Sequence, residues 1–470
     1  MFDFAGFGFK PVDLMIAFLI IRFVKQAFFD GKKYPIPKSS VFILLAILLL
    51  IIPLSLIYPL SKGNTEHIIQ FFKTSSHFYY LSFIGLYFFL DPPDEKVLTR
   101  CIQIFLIISL ITNIFAVYQI FARGFDLPLA WIKFTNVGYV ARGMHESIED
   151  FSQLSLQYEN FYRATSYFPE PSSLAALNVL VILLNIVPFI QKTGMFFKKK
   201  ALNIAVFGFS IIAAFLTFSL TGALGIGMIL VALLIFNFNR VKKYILPILI
   251  GSIVVLFIVD TIVNAYLGVS VAGLFWNRIS FLFGYGGMST GMQGESFFGR
   301  MGSQIVSIKI WTISPLFGIG FGGTSFYGQQ FDNTSNLAYK ILFPDTALVG
   351  LLSETGIFSA LVFTGMFGLL FYKGFQYIKN IDNMNLSPDM KRFAGIIFFW
   401  MLEMFEINFI TGYPLISDWF WIPFGFILAV EHRILIQNNA PIYILSFSKR
   451  PLIEYFLKGL ANNINNNDKE

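Results

Sequence analysis

The chain has 470 residues, 56% hydrophobic and 13% charged, with a mean hydropathy of +0.68 and a formal net charge of +7. A soluble protein of this length could not cover so much apolar surface, so lipid must be the solvent for most of it. The charge excess does not call for nucleic acid, because cytoplasmic loops of membrane proteins are rich in Lys and Arg, and a single cysteine, Cys101, excludes an intramolecular disulfide framework.

A transmembrane helix needs about 20 mainly apolar residues. In chain order, the segments 11–29, 41–60, 68–90, 101–121, 171–190, 201–217, 222–238, 244–264, 346–372, 393–411 and 415–430 qualify. They predict an all-α integral membrane protein of about 11 spans, within a range of about 10–12. Arg22 and Lys25 interrupt the first of them. The N-terminus lacks a basic stretch followed by a small-residue cleavage site, so the first segment is expected to stay in the mature protein. "SLTG" (219–222) breaks an uncharged run of 39 residues, too long for one span, and reads as a tight turn between two helices.

The short connectors set the orientation. Segments 31–40, 91–100, 191–200, 239–243 and 373–392 together carry 16 Lys and Arg, against 2 in segments 1–10, 61–67, 218–222 and 411–418. The contrast places the first set in the cytoplasm. The chain then divides into N-terminal spans (1–121), a first large exoplasmic loop (122–170), central spans (171–264), a second large exoplasmic loop (265–345), C-terminal spans (346–430) and a cytoplasmic tail (431–470). The tail ends in "ANNINNNDKE", with the composition of a disordered segment. Long loops in a compact protein are usually functional, and the chemistry is expected there.

The first long loop ends in "RATSYFPEPSS", 163–173. Pro171 suits the first position of a helix, which puts Glu170 at the N-terminus of a span, where the helix dipole favours a carboxylate. Capping would account for Glu170 but not for Arg163, whose simplest alternative role is snorkelling to lipid headgroups. In the second loop, glycine-rich stretches flank an amphipathic segment that opens at Arg300. There Ile305, Ile308 and Trp311 make a helical stripe suited to lying in the membrane surface. "GIGFGG" (318–323) matches the spacing of a dinucleotide-binding loop but has no βαβ unit around it, so that reading is rejected. Arg163, Arg278 and Arg300, with Glu170 and Asp345, are the charged groups of interest. Guanidinium binds phosphate bidentately and stays charged at physiological pH, so three arginines at headgroup height suit a phosphate-bearing ligand.

No Asp-x-Asp pair and no His/Cys cluster with metal spacing is present, so no metal and no cofactor are expected. "DPPDE" (91–95) is the densest carboxylate cluster but lies on the cytoplasmic side and reads as a helix start. Intramembrane carboxylates are functional candidates by default. Glu354 follows Asp345 by nine residues, which leaves the two on opposite helix faces, and Glu354 then pairs with a neighbouring helix or supports the site. Glu403 and Glu406 share a face, where a functional role and a structural one satisfied by Asn408 or a tyrosine are both open.

"RATSYFPEPSSLAAL", "GALGIGMILVALLI", "GRMGSQIVSIKIWTISPLFGIGFGG" and "DTALVGLLSETGIFSALVF", in this order over roughly 163–365, resemble the signature of the O-antigen polymerase and O-antigen ligase superfamily. The resemblance implies a GT-C-like membrane glycosyltransferase in the bacterial inner membrane, with its active site facing the periplasm. Its substrate would be an undecaprenyl-diphosphate-linked oligosaccharide, and a chain-length regulator and a flippase would be its companions. In that family, arginines matching Arg163 and Arg300 hold the diphosphate. Ligases carry a histidine where this chain has Asp345, and often Asn-Pro where it has Glu170-Pro171, so the polymerase branch is favoured.

On this reading Arg300 and Arg163, supported by Arg278, stabilise charge on the leaving diphosphate. Glu170, or Asp345 as second choice, takes the proton of the acceptor hydroxyl. Tyr162 and other exoplasmic aromatics (Tyr139, Tyr158, Phe161, Tyr285, Tyr327) suit stacking on sugar rings, against an alternative of interfacial packing. The nearest rival is a ligase acting on lipid A–core or protein. The rival of another class is a flippase for the same lipid-linked sugars, although no internal repeat is visible.

Overall fold

The structure, a computed structural model, describes residues 2–4, 7–9, 11–134, 151–153, 157–158, 161–270, 272–273, 276, 295–331, 346–411, 415 and 417–447. The described residues are mostly helical, 77%. In order, the helices are α1 (Pro11–Val24), α2 (Ser40–Ile51), α3 (Ile57–Lys62), α4 (Thr65–Leu90), α5 (Glu95–Gly124), α6 (Pro171–Gln191) and α7 (Lys200–Leu216). After them come α8 (Leu220–Leu267), α9 (Glu295–Trp311), α10 (Thr324–Phe331), α11 (Ala347–Asn380), α12 (Pro388–Phe405) and α13 (Asp418–Gln437). A 3-10 stretch at Ile52–Leu56, where Pro53 removes a donor, joins α2 to α3 into one rod.

Among the described residues, seven helices are long and apolar enough to cross a membrane: Ser40–Lys62, Glu95–Gly124, Pro171–Gln191, Thr221–Lys243, Ala347–Asn380, Pro388–Ile410 and Asp418–Gln437. Two shorter apolar helices, Lys200–Leu216 and Leu256–Tyr266, accompany them. Each of the remaining expected spans is helical but falls short of this standard. α1 has only 14 residues before a π turn at Lys25–Phe29. α4 is long but carries His67, Lys73 and several hydroxyls among its apolar residues.

α6 is the axis of the bundle. It is the most enclosed of the seven helices, with 94% of its apolar window buried, and α7, α8 and α12 pack against it. Close approach requires glycine on α8. A Cβ on Gly222 would lie 3.1 Å from Ala175 Cβ, and one on Gly225 would lie 2.9 Å from Val179 Cγ1 and Cγ2. The turn expected at "SLTG" exists but sits slightly earlier, at 217–219, where Phe218 takes a positive φ of 48°.

The basic segment 239–243 was expected as a connector and is helical instead, inside α8. The chain still reverses. Arg240 donates to the Gln191 carbonyl at one end of the bundle, while Tyr266 packs its ring on Phe121 at the other. Asn237, with non-helical φ −127° and ψ 27°, marks the kink.

The two ends of the bundle differ in chemistry. One end is closed by side-chain pairs: Lys32 and Arg22 on Asp91, Arg433 on Asp94, Ser387 and Gln437 on Glu95, and Lys373 and Ser39 on the buried Glu431. A two-stranded antiparallel sheet, Tyr34–Pro37 with Ile442–Leu445, ties the chain's two extremities together there. The acidic cluster "DPPDE" therefore serves as a clamp as well as a helix start. The opposite end carries the described parts of the segment 125–170, with Tyr162, Arg163 and Glu170 among them.

Candidate functional site

The segment 163–170 is built between α5, α7 and the start of α6. Arg163 is buried, 8% exposed, rather than splayed toward headgroups. Its Nε donates to the Thr217 carbonyl at 2.7 Å, and the Ala164 N–H donates to the Leu216 carbonyl at 2.9 Å. Helix ends leave carbonyl groups without intrahelical partners, so Arg163 and its neighbour close the C-terminus of α7.

The next two residues are held by amide side chains. Gln119 Oε1, on α5, accepts from the Ser166 N–H at 2.8 Å, the Thr165 N–H at 3.3 Å and Thr165 Oγ1 at 3.1 Å. Gln153 Nε2 donates to the Ser166 carbonyl at 2.6 Å and the Phe168 carbonyl at 2.8 Å. Ser166 Oγ donates to the Thr112 carbonyl at 2.7 Å. Ser166 has a φ of 52°, a left-handed conformation that a non-glycine residue keeps only when its surroundings fix it, as these bonds do.

A second arginine, absent from the sequence-based candidates, completes the cluster. Arg123 at the end of α5 is 4% exposed. Its Nε donates to the Ala130 carbonyl at 3.0 Å, Nη1 to the Arg163 carbonyl at 2.5 Å, and Nη2 to Gln153 Oε1 at 2.6 Å and Thr165 Oγ1 at 2.7 Å. The Trp131 ring lies over the guanidinium at 4.2 Å, and Tyr162 meets Trp131 edge to face at 4.9 Å. Every one of these partners is neutral, and Arg123 enters no ion pair among the described residues. A buried charge held only by dipoles is not cancelled by a counter-charge and leaves this end with a net positive contribution. One signal for it was available in sequence: an arginine in "FARGF" at the non-cytoplasmic end of an apolar run, against the usual bias.

Glu170 stands at the N-cap of α6, with Pro171 at the first helical position as expected. Its side chain makes no capping hydrogen bond, and the residue is half-buried. The carboxylate therefore does not cap through a hydrogen bond, and it enters no ion pair with Arg163 among the described residues.

The second cluster lies where α11 breaks. Gly356 has φ 82° and ψ −179°, and the backbone of 315–320 crosses α11 at that point. Backbone groups freed by the break are taken up by the crossing strand: the Ile319 N–H donates to the Ser353 carbonyl, Gly320 N–H to the Glu354 carbonyl, and Ile357 N–H to the Pro315 carbonyl, all at 2.9–3.0 Å. "GIGFGG" is the segment that makes this possible. Gly318, Gly320 and Gly322 all have positive φ, and a Cβ on Gly318 would lie 2.3 Å from the Glu354 carbonyl carbon.

The Glu354 side chain is buried and pairs, as expected, with a neighbouring helix. Its Oε1 accepts from the Thr324 N–H at 3.2 Å and Thr324 Oγ1 at 2.7 Å, at the N-terminus of α10. His67, wholly buried at the start of α4, packs its ring against the same glycine loop and against Phe326 at 4.8 Å. Asn408 does not serve Glu403 and Glu406 through its amide, which donates to the Met404 carbonyl at 2.7 Å; both glutamates are buried.

Arg300 lies in α9, and its side chain is outside the described residues, as are Arg278 and Asp345 altogether. α9 packs on α11, with Val306, Ser307 and Ile310 buried; of the expected stripe, Ile305 and Ile308 are exposed and Trp311 is half-buried. Arg163, Glu170 and Tyr162 thus share one segment, with Arg123 beneath it, and Glu354 belongs to a separate junction. Among the described residues no group of three His, Cys, Asp or Glu side chains is placed to hold a metal ion. Compared with known protein families and with curated proteins, the chain matches none.

Proposed function

We propose that the chain is a polysaccharide polymerase, a GT-C-like glycosyltransferase with its lysine-rich end in the cytoplasm and about 11 spans. It moves a growing glycan from undecaprenyl diphosphate onto a lipid-linked repeat unit at the outer face of the bacterial inner membrane. The observation that carries the reading is the segment 163–170. Arg163 is buried on it with its side chain against the Thr217 carbonyl, Arg123 lies beneath it on four neutral oxygens, and Glu170, which makes no capping hydrogen bond, stands seven residues on from Arg163.

In the reaction, the bond between the anomeric carbon and the diphosphate oxygen breaks, and its electron pair stays on the diphosphate. Arg163, Arg300 and Arg278 stabilise that charge in a site of low dielectric constant. The acceptor hydroxyl oxygen forms the new bond to the anomeric carbon, and its proton passes to Glu170, with Asp345 as the alternative base.

A flippase reading draws support from the break in α11, because transporters bind substrates at discontinuous helices. Here the backbone groups of Ser353, Glu354 and Ile357 at the break already have partners in 315–320 and are not left for a substrate. The enzyme reading is therefore preferred.

The test is the surface-glycan pattern and the lipid-linked sugars of a strain lacking the chain. Single repeats on the surface without a ladder support the polymerase. Long chains accumulating on the lipid carrier would refute it in favour of a ligase. Arg300→Ala should abolish polymer while the protein still inserts in the membrane, and normal chain length in that variant would sink the assignment.

A further inference from the structure

We propose that Arg123 is a positioning residue for the diphosphate site, an inference that rests on the function proposed above. Its guanidinium joins four acceptors from three stretches of chain that have no secondary structure in common: Ala130, Gln153, and the pair Arg163 and Thr165. A planar fork with fixed donor directions can bind such a set at once; the compact ammonium of lysine cannot. Trp131 covers the face of the fork at 4.2 Å and Tyr162 buttresses Trp131, so the guanidinium has little room to turn.

The bond to the Arg163 carbonyl is the one that matters for function. Arg163 is fixed through its own carbonyl by Arg123 and through its Nε by the Thr217 carbonyl. The two contacts set the Arg163 backbone against α5 and its side chain against the end of α7. Thr165 donates to Gln119 Oε1 and accepts from Arg123, which continues the same lock toward Glu170. Arg123 also adds a positive charge that no described carboxylate neutralises, which favours a doubly negative diphosphate over a neutral ligand.

A merely structural arginine would affect stability alone. The experiment therefore uses the full chain in lipid nanodiscs, as wild type, Arg123→Gln and Arg123→Lys, with two readouts. Amide hydrogen exchange at Ala164–Ser166 reports the lock. Glycosyl transfer from a polyprenyl-diphosphate oligosaccharide reports the site, split into KM and kcat. In R123Q, exchange at these amides should rise about ten-fold or more, the scale of one lost charge-assisted hydrogen bond, while that of α6 stays unchanged. The donor KM should rise about ten-fold with a smaller fall in kcat, and R123K should recover part of the KM because it restores the charge but not the fork.

Unchanged exchange at Ala164–Ser166 in R123Q overturns the positioning role by itself. Raised exchange with unaltered KM and kcat overturns it too, leaving Arg123 a structural residue. Absence of glycosyl transfer by the wild-type chain, in a preparation whose exchange responds to R123Q, overturns the function proposed above rather than the lock. If R123Q does not fold, Thr165→Val removes one acceptor of the fork and should give the same exchange signature at smaller amplitude.

Discussion

The crossing of 315–320 over α11 should be the least forgiving point in the molecule, and Gly356→Ala tests it. Gly356 holds φ 82° with ψ −179°, a region that residues with a side chain scarcely enter, at a cost of about 1–3 kcal/mol. The added methyl would also lie 2.1 Å from the Leu316 carbonyl oxygen, 2.4 Å from its carbon and 2.7 Å from the Phe317 nitrogen. These are backbone atoms, so no rotamer change relieves the overlap, and overpacking adds about 1–3 kcal/mol. Together the two effects come to about 2–6 kcal/mol, a large part of the 5–15 kcal/mol that holds a typical protein folded. Gly365→Ala is the control on the same helix. There the nearest atom to a new Cβ is Leu44 Cδ1 at 3.7 Å, so alanine should be neutral or slightly stabilising. The assay is thermal unfolding of the detergent-solubilised full chain, followed by size-exclusion recovery. A G356A protein that melts with the wild type would refute the crossing.

Two further outcomes are expected by the same assay. Lys373→Met should destabilise the chain by about 3–5 kcal/mol by stranding the Glu431 carboxylate, which is 1% exposed. Adding Glu431→Gln in the same chain should recover most of that loss. Tyr34 is buried with a hydroxyl that lacks a hydrogen-bond partner among the described residues, and burial, aided by the Asp91 charge, pushes its phenol up to about 12. In the unfolded chain the phenol titrates near 10. Between these values the folded form keeps a proton that the unfolded form releases, so this contribution is intact below about pH 10 and is lost as the pH rises toward 12. Tyr34→Phe should match or exceed the wild-type melting temperature at neutral pH and decline less steeply above pH 10.

Apolar length alone revealed most of the helices. The runs 41–60, 101–121 and 171–190 fall inside Ser40–Lys62, Glu95–Gly124 and Pro171–Gln191, because a long uncharged stretch has few other ways to bury its backbone polar groups. Breaks were legible only where their cause is local. The turn at 217–219 was near enough to the place that run length demands. The break at Gly356 was not, since one glycine in "SETGIF" costs a helix only about 1 kcal/mol. What stabilises the break is a segment some 40 residues earlier that supplies three replacement hydrogen bonds. Arg163 and Glu170 stood out as charges beside an apolar run, whereas Gln119, Gln153 and Thr165 are ordinary residues whose role exists only once three parts of the chain meet. Arg123 lies between these cases. Its position violates a charge bias, but nothing local shows that its partners would all be neutral.

The unequal ends of the bundle bear on the choice between enzyme and transporter. Alternating access requires each end to open in turn, and at the lysine-rich end opening would separate Lys373 from Glu431, Arg433 from Asp94, Lys32 from Asp91, and the strand 34–37 from 442–445. The exposed pairs contribute little, about 0–1 kcal/mol each, but uncovering a buried carboxylate without its lysine costs several times that. At the other end, the described part of the segment 163–168 is held by carbonyls, amides and hydroxyls, and the buried charge of Arg123 has only neutral partners among the described residues. A catalyst that receives and releases its lipid-borne substrates on one side of a membrane needs that division: one end that stays shut, and one whose positive potential is left for the ligand. On the function proposed above, K373M paired with E431Q should transfer glycan at the wild-type rate, since the pair is removed without leaving a buried charge. A transporter whose gate was that pair would instead change its transport rate in the same variant.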